Sequence, residues 1–317
     1  MTVPVPELGP RDVMINVDAC GVCGSDLASY AHGHYVATGQ VMGHEIAGRI
    51  AALGREHAEL PIGQRVAVRP MRTCGECSYC LAGNTHLCGE TGGRSLGYGV
   101  SGGFAEQIVI TDAVVGQDVF PVAQSLDPLD LLWVEPLAVA IHAVEQIGRA
   151  VSELLVIGGG AVGQTVVVAA IAAGMRVTVV EPLVARRAAA ERSRARAFAP
   201  GALPGNARFD AVIDASGLPS AVRAALPYLA PGAPIVLVGL NNAPIPWPLN
   251  GHPLVGAFAY RHQDFVAAVG LVDSGRVRLG DLVSRRYSLE DAAQALRGPQ
   301  PGDSAVKAAI IPQKEKS

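Results

Sequence analysis

The chain has 317 residues, half of them hydrophobic and 17% charged, with a formal net charge of −3. That length exceeds what one hydrophobic core usually serves and points to two domains. The charge excludes a protein that seeks nucleic acid or an anionic membrane surface through a basic face, and no apolar run approaches the ~18–20 residues of a spanning helix.

Lysine is scarce: only Lys307, Lys314 and Lys316, so 22 of the 25 basic residues are arginine. No Gly-Lys-Ser/Thr exists, which excludes a Walker-type phosphate loop. No Tyr-x-x-x-Lys pair exists, and a Schiff-base lysine would have to come from the last eleven residues. The opening segment, Met1 to Glu7, has no basic region followed by an apolar stretch, so no secretory leader is expected and a cytoplasmic protein is. In that compartment clustered cysteines are metal sites more often than disulfides, and all six cysteines lie between Cys20 and Cys88.

In chain order, the first chemical signal is Cys20-Gly-Val-Cys23-Gly-Ser25-Asp26. A Cys-x-x-Cys pair alone is ambiguous between a redox couple and half a metal site. It gains meaning from Gly43-His44-Glu45 and from Glu135-Pro136 further on. One thiolate, one imidazole and one or two carboxylates can hold zinc and leave a position open, the mark of a catalytic ion. Cys20 is then a packing neighbour. Next come Cys74-Gly-Glu-Cys77-Ser-Tyr-Cys80 and Cys88. Cysteines three apart pair poorly with one another, but four thiolates fill a closed tetrahedral zinc site. An iron–sulfur cluster is the rival occupant.

Leu154–Ile157 reads as a buried strand. It enters Gly158-Gly159-Gly160-Ala161-Val162-Gly163, followed by a helix from Gln164 to Ala173 with Gly174 as its stop. A strand from Arg176 to Val180 then ends at Glu181. Strand, glycine turn, helix, strand and acid form the dinucleotide-binding context. The glycines, Gly158, Gly160 and Gly163 with Val162 between, admit a pyrophosphate at the helix N-terminus. Glu181 suits ribose hydroxyls and repels a 2′-phosphate, which favours NAD over NADP. Arg186 and Arg187, which would suit NADP, read as solvated helix charges. Further strands, Ala211–Asp214 and Ile235–Val238, place Ser216, Gly217, Gly239 and Leu240 at the carboxyl ends of a doubly wound parallel sheet, where ligands bind.

Taken together these segments resemble the zinc-dependent medium-chain dehydrogenase/reductase family, the alcohol and polyol dehydrogenases. The motifs fall in the family's order, with Gly102-Gly103-Phe104-Ala105-Glu106 and Glu135-Pro136-Leu137 among them. The resemblance implies an α/β protein: a GroES-like, β-rich catalytic domain at 1–135 and 283–317 with its zinc lobe at 74–88, and a Rossmann domain at 136–282. It implies an active site in the cleft between the domains. Two zinc ions are expected, one structural on Cys74, Cys77, Cys80 and Cys88, one catalytic on Cys23 and His44 with Glu45 or Glu135 supplying a carboxylate, the two able to alternate. It implies that Asp26 orients His44 and that Ser25 passes the substrate proton outward. The reaction implied is hydride transfer between a small alcohol or carbonyl substrate and NAD, with zinc as Lewis acid. The run Glu135 to His142 leans toward the sorbitol and threonine dehydrogenase branches. A homodimer or homotetramer through the sheet edge near Val255–Tyr260 is also implied, and Ser288-Leu-Glu-Asp291 opens a C-terminal helix.

Three departures stand against that pattern. Against the family's pattern the opening β-hairpin is not seen before Val5, and either the start is misplaced or the catalytic domain lost an edge. Between Glu181 and Asp210 the chain is short, as though a strand and part of a helix were lost. Ala28 stands where many relatives carry a proton-relay histidine, so that either Tyr30, His32 or His34 substitutes or Ser25 hands protons directly to water. They motivate the competing expectation of a truncated, non-catalytic binder of dinucleotide and zinc. The intact Cys23, His44 and Glu45 argue against a zinc-free reductase.

Overall fold

The structure is a computed structural model that describes residues 7–239, 251–298 and 302–313; Leu240 lies outside them. The chain forms two compact units, Met1–Glu135 with Arg261–Pro299 and Lys307–Ser317, and Pro136–Tyr260 with Gln300–Val306. The return to the first unit comes at Arg261, earlier than the expected 283. The reason is packing: the helix His262–Asp273 buries Phe265, whose ring lies 5.2 Å from that of Phe120.

The first unit is built on β1 (Val13–Val22), β2 (Glu45–Leu53), β3 (Arg65–Val68), β4 (Gln107–Ile110) and β5 (Val119–Pro121). The second contributes β6 (Glu153–Ile157), β7 (Arg176–Val180), β8 (Arg196–Phe198), β9 (Ala211–Asp214), β10 (Ile235–Leu237) and β11 (Leu254–Gly256). Two late strands, β12 (Val283–Tyr287) and β13 (Lys307–Ile310), rejoin the first sheet.

The first sheet runs β12-β13-β1-β2-β3-β5, with β4 also on β1. Strand β1 organises it. Val13, Ile15 and Val17 alternate inward and are fully buried with Ile46, Ile50, Val66 and Ile110, as a period-two strand with one buried face requires. The carboxyl end of β1 delivers the chain straight to Cys23, and the amino end of β2 begins at Glu45. Their antiparallel register sets Gly21 opposite Glu45. This is how two motifs twenty residues apart converge.

The second sheet is wholly parallel, in the order β11-β10-β9-β6-β7-β8. Numbered from β6, that is the doubly wound order 3-2-1-4-5-6. No strand of that set is lost, which corrects the expectation for the short stretch. What is missing is the crossover helix: residues 199–210 connect β8 to β9 without one. Beneath that connection lies a cavity of about 290 Å³, lined among others by Thr178, Phe198, Leu203 and Phe209. The glycine-turn helix, Ala161–Ala172, starts three residues earlier than expected. No helix among the described residues is long and apolar enough to cross a membrane.

Candidate active site and metal centres

Cys23 caps the N-terminus of the helix Gly24–His32, and its backbone N–H donates to Asp26 Oδ2 at 2.9 Å. The same carboxylate turns its other oxygen to His44, with Oδ1 3.5 Å from Nδ1. Asp26 is 2% exposed and His44 3%, so one buried acid fixes both the turn that carries the thiol and the imidazole beside it. Gly43 holds φ at +96°, where a side chain is strained, and a Cβ there would lie 2.9 Å from Cys20 Sγ. His44 is thereby placed at the mouth of β2, and Cys20 is the buried packing residue the spacing suggested.

The ligand atoms of Cys23, His44 and Glu45 all lie within 4.8 Å of one another. A thiol, an imidazole and a carboxylate at that separation are a donor set that fits zinc with a position open. Burial alone works against a charged imidazole here, yet Asp26 and the neighbouring Tyr98 and Cys23 carry the His44 pKa well above its usual value. Surroundings that favour a proton on His44 also favour a cation beside it. Glu135 is not part of this convergent set. Burial pushes its carboxyl up to about 7; His44 and Lys307 oppose the rise, and Glu45 and Asp26 add to it.

Two further neighbours of the site escape motif reading. Tyr98 Oη is 2.9 Å from Ser25 Oγ, and its ring lies 5.0 Å from that of His44. Burial raises the Tyr98 pKa, so it stays a neutral hydroxyl. Tyr30, His32 and His34, the expected substitutes for a relay histidine, are exposed, and the hydroxyl that meets Ser25 is that of Tyr98 instead. The second is Lys307, buried, with its Nζ against the Glu45 carboxylate.

The four remaining cysteines converge as their spacing requires. Cys74 Sγ lies 3.9 Å from Cys80 Sγ and 3.6 Å from Cys88 Sγ, and all four sulfurs fall within 4.8 Å of one another. A disulfide would need ~2.05 Å, and tetrahedral bonds of ~2.3 Å put sulfurs about 3.8 Å apart. Backbone N–H groups of Cys74 and Cys77 point to Cys88 Sγ and Cys74 Sγ, each at 3.4 Å, as they do around thiolates. The set fits a closed zinc site.

In the second unit the glycine turn leaves β6 through Gly158, φ +93°, and Gly160 caps the helix with no side-chain acceptor. The first-turn N–H groups, which have no intrahelical partner, are thus left for a ligand. A Cβ at Gly163 would overlap the Gly158 carbonyl, whereas one at Gly160 would meet only Arg186, at 3.8 Å. The turn is tight where helix meets strand and open where a pyrophosphate belongs, so these residues fit a dinucleotide. Glu181 is 3% exposed. Its oxygens accept from Gly159 N–H at 2.7 Å and Leu183 N–H at 2.9 Å, which locks the acid beside the turn. Ser216 N lies 3.1 Å from a Cβ built on Gly158, but its hydroxyl is committed, donating to Asp214 and accepting from Leu218 N–H. Gly239 packs on Gly217, where a Cβ would overlap backbone. Arg186 and Arg187 are not the solvated charges expected. Arg186 donates to the carbonyls of Asp303 and Ala305, Arg187 to those of Glu181 and Pro182.

A thiol–imidazole–carboxylate set on a β-rich unit, joined in one chain to a six-stranded dinucleotide-type sheet, defines a metal-dependent oxidoreductase. The profile of the alcohol dehydrogenase GroES-like domain matches residues 9–120, and that of the zinc-binding dehydrogenases matches residues 161–274. Sorbitol dehydrogenase of Bacillus subtilis (strain 168) is 31% identical over 338 residues, covering 99% of this chain and 94% of that protein. A zinc-binding dehydrogenase of Sinorhizobium meliloti 1021, solved bound to NADP, superposes with a TM-score of 0.87 at 28% identity, over 98% of this chain and 94% of that one. L-idonate 5-dehydrogenase of Escherichia coli K-12 gives a TM-score of 0.85 at 26% identity, over 95% and 91%. The chain belongs to the zinc-dependent medium-chain dehydrogenase/reductase family, the alcohol and polyol dehydrogenases.

Proposed function

We propose that this oxidoreductase oxidises a secondary hydroxyl of a polyol, sugar acid or amino alcohol with NAD, and reduces the matching ketone. The observation that carries the reading is the convergence of Cys23, His44 and Glu45 beside the Ser25–Tyr98 hydroxyl pair. Sorbitol and idonate, named in two relatives, are both polyhydroxylated, which supports that substrate class. A zinc ion held by Cys23, His44 and Glu45 would supply Lewis acidity toward a substrate oxygen. A nicotinamide dinucleotide at the Gly158–Gly163 turn, near Ser216 and Gly239, would supply the hydride acceptor.

The chain's own residues do the rest. Asp26 holds the His44 ring. Ser25 Oγ accepts the substrate proton as it gives its own to Tyr98 Oη, the partner it already meets, and Tyr98 in turn releases its hydroxyl proton to water. Changing Ser25 to alanine is expected to lower kcat by about 10²-fold, the usual weight of a positioned proton relay. Tyr98→Phe is expected to lose about tenfold, most of it at low pH. Equal rates for Tyr98→Phe and wild type across pH 6–9 would remove Tyr98 from the relay.

NAD is favoured because the Glu181 carboxylate, locked beside the glycine turn, would repel a 2′-phosphate brought near it, and like charges brought together cost several kcal/mol. Replacing Glu181 with serine is expected to shift the NADP-to-NAD ratio of kcat/KM toward NADP by about tenfold or more. An unchanged ratio would transfer the preference to other residues, Arg186 and Arg187 first.

We place this protein in the cytoplasm, where four thiols at bonding range for zinc stay reduced. Self-association is proposed through the sheet edge at β11, where Leu254 in the strand and Phe258 just beyond it are 44% and 66% exposed. A monomer by light scattering would contradict it. The reading as a whole is tested by metal analysis with NAD and NADP reduction over a panel of polyols, sugar acids and amino alcohols. One zinc per chain with no turnover on any of them would favour the non-catalytic binder instead.

A further inference from the structure

Where the chain crosses from β8 to β9, residues 199–210 carry no helix. A parallel crossover ordinarily lays one on the sheet. In its place is a cavity of about 290 Å³, and its walls differ in chemistry from floor to rim. The floor is the sheet. Thr178 pairs with Leu155 on β6 and with Arg196 on β8, and it shares one face of β7 with Arg176 and Val180. Leu155 and Phe209 are buried on that side, with Val180 and Leu203 packed against them. One hydroxyl interrupts this apolar surface. Thr178 is 1% exposed, and its Oγ1 has no hydrogen-bond partner. A buried hydroxyl left unpaired costs stability that a valine of the same shape would not.

The rim is cationic. Arg196 and Arg208 line it against a single acid, Glu153. The Glu153 oxygens are held by Arg176 and Arg196. Asp210, the next acid along, gives Oδ2 to the N–H groups of Ser152 and Glu153. Arg208 is exposed, and among the described residues it donates only through Nη1, to the carbonyls of Gly205 and Ala207. The rest of its guanidinium is open to an anion. Size narrows the occupant further: a cavity of ~150 Å³ accepts benzene, so this one suits a single ring with short substituents.

We propose that this cavity binds a small aromatic monocarboxylate with a hydroxyl at the far end of its ring. The hydroxyl meets Thr178 at the floor, the ring lies on Phe198 and Phe209, and the carboxylate reaches Arg208 at the rim. The site shares no residue with the metal set or the glycine turn, so it stands apart from the zinc reading above.

The test is calorimetric titration of the full-length protein with 4-hydroxybenzoate and, beside it, benzoate. Ligands of about ten non-hydrogen atoms reach a Kd of about 1 mM or tighter in a fitting site. Thr178→Val is expected to bind 4-hydroxybenzoate about five- to tenfold more weakly and benzoate unchanged, the weight of one hydrogen bond. Its unliganded thermal midpoint is expected to rise, since the orphaned hydroxyl is gone. A merely structural threonine would not move affinity and stability in opposite directions. Arg208→Gln is expected to weaken both acids severalfold, and added salt should narrow that difference. Should Thr178→Val not fold, Ala207→Leu, which narrows the cavity, is expected to weaken both acids. A wild type that binds neither acid by 10 mM (about tenfold above the expected Kd), or binds them with affinities that none of the three variants changes, overturns the site. A Thr178→Val protein that weakens both acids equally, or melts below wild type, overturns the pairing of Thr178 with the ligand hydroxyl.

Discussion

Changing Cys23 or His44 to alanine is expected to lower kcat/KM for alcohol oxidation by about three decades or more, while bound zinc falls by one equivalent per chain. The size follows from what a positioned Lewis acid contributes at a developing charge, several kcal/mol, at about 1.4 kcal/mol per decade. The two substitutions are not alike in their structural cost. Cys23 is partly exposed, and its backbone N–H keeps its bond to Asp26 Oδ2 in the alanine variant, so little of the fold depends on the thiol. His44 is 3% exposed, and its loss leaves the 2%-exposed Asp26 without the imidazole it faces. A buried carboxylate deprived of a partner costs stability, so His44→Ala should also melt lower than Cys23→Ala. The second alanine variant therefore mixes two effects, and Cys23→Ala is the cleaner test. Metal analysis by mass spectrometry with steady-state rates checks both. A Cys23→Ala protein that keeps the wild-type zinc content, or turns over within tenfold of wild type, would show that the set does not carry the chemistry.

How much of this could be read from the chain alone depends on how local each signal is. Cys74, Cys77, Cys80 and Cys88 lie within fifteen residues of one another, and the turns between them bring their sulfurs together with little help from the rest of the fold. The glycine turn is equally local, since the strand before it and the helix after it dictate its geometry. Cys23 and His44 required the β1–β2 register, but each carries its own motif. Lys307 and Tyr98 had no such support. Lys307 meets Glu45 across 262 positions of sequence and Tyr98 meets Ser25 across 73. A single lysine among alanines in Ala305-Val-Lys307-Ala-Ala-Ile310 looks like an exposed edge charge until β13 is laid beside β1. The strand β8 was missed for a different reason. Its three residues, Arg196-Ala-Phe198, are too short and too basic to show an apolar run, and only pairing with β7 makes them a strand. The Rossmann boundary at Arg261 was hidden because a helix packing through Phe265 gives no sign of which domain owns it.

Replacing Cys88 with serine is expected to lower the thermal midpoint of the first unit by about 10 °C, the consequence of losing a structural metal worth at least a few kcal/mol. The lobe has little apolar burial of its own: Tyr79, Leu81 and Leu87 are 50%, 77% and 45% exposed. Without a core, its conformation depends on what joins the four sulfurs. Its loosening should reach further, because Thr85 Oγ1 accepts the N–H of His262 at the start of the helix His262–Asp273, the helix whose Phe265 packs on Phe120. The same centre should respond to pH in a defined direction. Burial raises the Cys80 thiol to about 11, while the Cys74 N–H holds Cys88 down to about 6. Zinc requires all four as thiolates, so binding releases protons, that of the raised Cys80 thiol among them, and apparent affinity rises with pH. As pH falls, protons compete with the metal for the sulfurs. Removal of zinc by a chelator should therefore be faster at pH 5.5 than at pH 8, with a matching fall in the melting temperature. Cys88→Ser should remove most of that difference, because one coordination position is already lost. A Cys88→Ser protein that melts with wild type and retains its zinc would show that the lobe folds without the metal, and the four thiols would then need another purpose.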